Sequence, residues 1–106
     1  MTADVRLDSE VSTQGQQVNC TQLWRVHTAK GVTHKVRLKL RSDSYVDQSY
    51  AYAQVWDGKQ WQELYALQPA NMLTPTKLAY GPKRATVADF DADISRLLSL
   101  SRTVLA

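Results

Sequence analysis

One cysteine, three prolines, four glycines and one phenylalanine are spread over 106 residues. A lone Cys20 forms no internal disulfide, and with only His27 and His34 beside it there is no Cys/His set at zinc-site spacing. No metal and no cofactor are expected. Cys20 reads as a small apolar residue rather than a nucleophile, because no base can be assigned to it. No apolar run approaches the length of a bilayer span. The first ten residues carry Asp4, Asp8 and Glu10 where a targeting peptide needs basic or apolar stretches. The expectation is a cytoplasmic protein with no membrane partner, for which the acceptor-like triplet Asn19-Cys20-Thr21 has no consequence.

Glycine-rich phosphate loops and nucleophile-elbow glycines are also missing, which leaves catalysis with little support. His27 and His34 are the only candidates for an enzyme, and each reads more simply as a satisfied polar residue in a hairpin. Asp89, Asp91 and Asp93 resemble a metal cluster in composition alone, since at i, i+2, i+4 they do not share a helix face. They fit better as partners of a helix N-terminus. The expectation is a protein that is not an enzyme.

At 12.0 kDa the chain is one domain, with a folded surface of roughly 6,000 Å² against roughly 17,000 Å² unfolded. Residues 1–21 read as an N-terminal arm or an edge strand, with a Gln-rich turn at 14–17. From 22 to 67 apolar residues alternate with period two and are rich in Val, Tyr and Trp, as in half-buried antiparallel strands. Residues 68–85 hold Pro69, Pro75, Gly81 and Pro82 and read as a connector. From 86 to 105 the period changes to 3.6.

Two hairpins can be placed. A three-residue loop, Ala29-Lys30-Gly31, pairs Gln22 with Leu38, Trp24 with Val36 and Val26 with His34. Trp24, Val26, Val36, Leu38 and Leu40 then share one face, and Arg25, Lys35, Arg37, Lys39 and Arg41 the other. Further on, Asp57-Gly58 suggests a two-residue type I′ turn between 48–56 and 59–67. That register gathers Tyr50, Tyr52, Trp56, Trp61 and Tyr65 on one face and Ala51, Ala53, Val55 and Leu64 on the other. The aromatic face offers either a stacking platform for bases or the core beneath a helix. The core is preferred, because burying Trp and Tyr contributes most in so small a domain.

Thr86 caps the helix with Asp89 three residues on, and Val87, Phe90, Ile94, Leu97, Leu98, Ser101 and Leu105 form its apolar stripe. The fold class is therefore α+β: a four- or five-stranded antiparallel meander with one C-terminal helix on one face.

Charge is distributed unevenly. From Val11 to Ser42 there are six bases and no acid. Lys35, Arg37, Lys39 and Arg41 recur at every second residue, a cationic row at about 7 Å spacing. As a solvated face it would protect an edge; as a site it would engage an acidic partner. We expect a small non-catalytic binding protein whose cationic face, Arg25, Lys35, Arg37, Lys39 and Arg41, engages nucleic acid or an acidic protein. The alternatives are a small-ligand pocket between helix and sheet, lined by Trp24, Tyr50, Tyr52 and Phe90, and a purely oligomeric structural protein. The strip Ala51, Ala53, Val55 and Leu64 suggests a homodimer, a second copy covering the bare side of the sheet.

Overall fold

A computed structural model describes residues 4–75 and 85–106. Five strands, β1 (Val5–Gln14), β2 (Gln17–His27), β3 (Thr33–Asp43), β4 (Tyr50–Trp56) and β5 (Trp61–Leu67), form one antiparallel sheet in sequence order. The helix α1 (Asp91–Leu105) packs on β4 and β5. The α+β meander follows the sequence expectation. Residues 5–14 are an edge strand rather than an arm, and 17–21 belong to β2, whose strand begins five residues before the expected Gln22. Of the connector, Gly81 and Pro82 lie outside the described residues. No described helix is long and apolar enough to cross a membrane.

The β2–β3 hairpin has the register its pattern implies, with Gln22 opposite Leu38, Trp24 opposite Val36 and Val26 opposite His34. Its loop closes on Thr28 and Val32 (N–H to O, 2.9 Å), and Gly31 takes the left-handed conformation at φ 81° that the third loop position requires.

The β4–β5 turn differs from expectation. Trp56 pairs with Trp61, leaving a four-residue loop, Asp57–Gln60, in place of two residues. The Asp57 carboxylate accepts the backbone N–H groups of Lys59 and Gln60, both at 2.8 Å, and the side-chain amide of Gln62. An aspartate that caps its own loop in this way stabilises a wider turn than Asp-Gly alone suggests. Those donors hold the Asp57 carboxyl below its usual range, the Gln60 N–H contributing most. A bulge then inserts Leu64, so Glu63 pairs with Gln54 but Tyr65 pairs with Ala53.

The buried face consists of Val18, Cys20, Val26, Val36, Leu38, Leu40, Ala51, Ala53 and Leu67, closed by Phe90, Ile94, Leu97 and Leu98 from the helical segment. Every large residue expected in the middle of the helix stripe is buried. Ser101, on the same stripe, is satisfied by donating to the Leu97 carbonyl at 2.6 Å. Thr86 donates its N–H to the Asp89 carboxylate at 2.8 Å, and a 3₁₀ turn, Val87–Phe90, leads into α1. Asp93 is not a solvent-facing dipole partner. It is fully buried and accepts the N–H groups of Leu73 and Thr74, the Thr74 hydroxyl and the Arg96 guanidinium, fastening the segment after β5 to the helix.

Candidate binding face

In an antiparallel sheet, residues directly opposite one another lie on the same face, so the register alone arranges the side of the sheet away from α1. Three ranks cross it. One runs Asp8, Leu23, Arg37, Gln54, Glu63; the next Glu10, Thr21, Lys39, Tyr52, Ala66; the third Ser12, Asn19, Arg41, Tyr50. Arg25 and Lys35 are directly opposite each other toward the hairpin loop. The cationic residues expected to share a face therefore do, with the centre of the row on β3.

The aromatics stand on this same face, contrary to the expectation that they fill the core. Tyr50 and Tyr52 flank Arg41 and Lys39 on β4, with ring centroids 5.4 Å apart. Trp56 and Trp61 meet edge to face at 5.4 Å. Only Tyr65 departs, because the bulge at Leu64 sets it opposite the buried Ala53 on the helix side. The reason is volume. Phe90, Ile94, Leu97 and Leu98 already fill the space over β4, and Ala51 and Ala53 beneath them leave room for no larger side chain.

The guanidinium groups are oriented by neutral partners. Arg37 donates from Nε and Nη2 to Gln54 Oε1 at 2.9 and 2.8 Å and lies 4.4 Å from the Trp61 ring centre. Arg41 donates from Nε to Asn19 Oδ1 at 2.9 Å and lies 4.7 Å from the Tyr50 ring. Gln54 and Asn19 were not apparent as site residues from sequence, yet each is the direct cross-strand neighbour of the arginine it holds. Among the described residues the two ion pairs are Arg96 with Asp93 and Arg102 with Asp4. Arg25, Lys35, Arg37, Lys39 and Arg41 thus have no carboxylate within 4.0 Å among those residues. Amide oxygens and ring faces fix a guanidinium without cancelling its charge. Burial, and then the neighbouring Tyr50, raise the Tyr52 hydroxyl above its ordinary pKa.

The ligand pocket expected from Trp24, Tyr50, Tyr52 and Phe90 does not assemble. Trp24 is on the helix side, where its indole N–H donates to Gln22 Oε1 at 2.8 Å, and Phe90 is buried in the core, whereas both tyrosines are on the opposite face. Of the apolar strip expected to meet a second copy, Ala51 and Ala53 are buried on the helix side and Leu64 packs against the core, while Val55 is half-buried. His27 shares a hydrogen bond with Thr33 Oγ1 (3.0 Å) on the cationic side, while His34, opposite Val26, is on the helix side, so the two do not meet. Among the described residues no group of three His, Cys, Asp or Glu side chains is placed to hold a metal. Cys20 is fully buried, and its thiol is pushed up to about 11, by burial first and then by Asp91.

Comparison with protein-family models, with curated proteins and with solved structures finds no match for this chain.

Proposed function

We propose that this chain is a non-catalytic binding module that holds single-stranded nucleic acid on its helix-free sheet face. The observation that carries the reading is the juxtaposition of uncompensated cations on β3 with a row of aromatic rings on β4 and β5. Single-strand binders need both parts: a cationic track for the phosphates and aromatic planes for unpaired bases. With a repeat of about 7 Å along the strand, Lys35, Arg37, Lys39 and Arg41 can each meet one phosphate of an extended chain. Bases turned toward β4 then lie over Tyr50, Tyr52 and the Trp56–Trp61 pair. An acidic protein would answer the charge row alone and leave the aromatic half of the face unexplained.

Tryptophan at the site makes binding directly visible. Titration with an oligothymidylate should quench the fluorescence, with log K falling against log salt at a slope of about −3 for four phosphates on a single strand. Trp61→Ala should weaken binding by about 1–3 kcal/mol, the worth of one stacked base. Replacing Lys35, Arg37, Lys39 and Arg41 together by Gln should abolish both binding and its salt dependence. If that fourfold variant binds as tightly as the parent, the row is only a solvated face.

A further inference from the structure

We infer that Asp8 and Glu10 on one side of the cationic row, with Glu63 on the other, restrict this face to one strand and reject duplexes; the inference rests on the single-strand reading above. Asp8 is on the rank of Arg37 and Glu10 on the rank of Lys39, each two strands away from β3. Two strand spacings are about 10 Å. Glu63 stands at the same remove on β5, at the other end of the Arg37 rank. Arg37 is therefore bracketed by carboxylates on both sides and Lys39 faces one on the β1 side, at about the distance at which a duplex, one backbone seated on β3, carries its second backbone across a groove about 6 or 12 Å wide.

Neither side offers that second backbone a favourable place. Toward β1 the residues between the cations and the acids are Leu23 and Thr21, both uncharged. Asp8 and Glu10 are exposed and have no Lys, Arg or His partner within 4.0 Å among the described residues. Asp8 instead accepts the N–H of Ser9 at 2.8 Å. Toward β5 a duplex meets the ridge of Tyr50, Tyr52, Trp56 and Trp61 with base pairs whose planes are already stacked on one another. A single strand, narrower than the bracket, keeps its phosphates on β3 and avoids the carboxylates. Charged residues on an edge strand also deter sheet-to-sheet association, but lysine would do this equally well, and that role predicts a change in self-association rather than in ligand preference.

The experiment compares the parent with Asp8→Asn/Glu10→Gln and Asp8→Lys/Glu10→Lys. Fluorescence anisotropy reads the affinity for a strand of about twelve nucleotides and for the same strand in duplex, at one fixed salt concentration. The parent should favour the single strand by about tenfold or more. The neutral variant should raise duplex affinity about five- to tenfold and the reversed variant further, while single-strand affinity moves less than about threefold, because phosphate contacts on β3 are unchanged. Glu63→Gln, on the opposite edge, repeats the test if a β1 variant self-associates. Equal gains for strand and duplex, or no gain for duplex, overturn the inference while leaving the single-strand reading intact. A parent that binds neither form overturns both.

Discussion

Replacing Asp93 by alanine tests whether a residue at the start of a helix acts through the helix dipole or through the chain it fastens. As a dipole partner at an exposed N-terminus, it would contribute about 0.3–1 kcal/mol. The structure implies more. Its carboxylate accepts the Thr74 N–H at 2.8 Å, the Thr74 hydroxyl, the Leu73 N–H at 3.0 Å and Arg96 Nη1 at 2.9 Å. Thr74 is only 7% exposed, so its two donors would be stranded away from water, whereas the Leu73 amide and Arg96 can turn toward solvent. At about 1–3 kcal/mol for each of the two stranded buried groups, the loss is about 2–6 kcal/mol, a large part of the total stability of a domain this size. Urea unfolding followed by tryptophan fluorescence measures it, with Asp91→Ala, an exposed acid in the same turn, as the control. Burial raises the Asp93 carboxyl, but the hydrogen bonds from Thr74 and Leu73 and the Arg96 charge outweigh it and hold the group below its ordinary pKa. A depressed carboxyl stabilises the fold above its unfolded value, near 3.9, and that contribution is lost as the pH falls through the lower folded value. Asp93→Asn should therefore flatten the acid limb of the stability profile below about pH 4. The reasoning is refuted if Asp93→Ala and Asp91→Ala cost the same, within about half a kcal/mol.

Leu97→Ala, at a fully buried position on the helix stripe, should cost about 2–5 kcal/mol in the same denaturant assay. A value near zero would mean that α1 does not cover the sheet. Cys20 should fail to react with a thiol reagent at pH 8 in the folded protein and react fully in urea, since a thiol raised to about 11 and shielded by the core presents almost no thiolate.

The sequence made the β2–β3 hairpin legible because one glycine position and one alternation agreed: the three-residue loop that puts Gly31 at φ 81° also sets Trp24 opposite Val36, whereas a slip by one residue would set it opposite Arg37 and mix the faces. The helix was legible for a similar reason, its stripe being long and its cap specific. The side of the sheet on which the aromatics stand was not. Tyrosine and tryptophan suit a core and a binding face equally well, and what decides between them is the volume left under Phe90, Ile94 and Leu97 by two alanines, which is a property of packing between distant segments. The width of the β4–β5 loop is not legible in Asp57-Gly58, because the Asp57 side chain competes with the two-residue turn for the same backbone donors. The bulge at Leu64, which moves Tyr65 across the sheet, has no glycine to announce it. Asp93 and Asp91 share a composition and a helical turn, and only the partner segment at Leu73 and Thr74 distinguishes them. Of the candidate site, the cations could be read directly, whereas the amides that hold them follow only once cross-strand neighbours are known.

The contact between Asp4 and Arg102 joins residues 98 positions apart, whereas each strand of the meander pairs with its nearest neighbours in sequence. Loop closure makes the local hairpins the early events and the distant contact the late one. The five strands can therefore zip together while Ala51, Ala53 and Leu67 still face water, and they remain uncovered until residues 91–105 dock. During that interval the sheet is apolar on one side and charged on the other. Its most vulnerable moment is an interval in time rather than a place in the finished molecule, and its length is set by how quickly the final helix arrives.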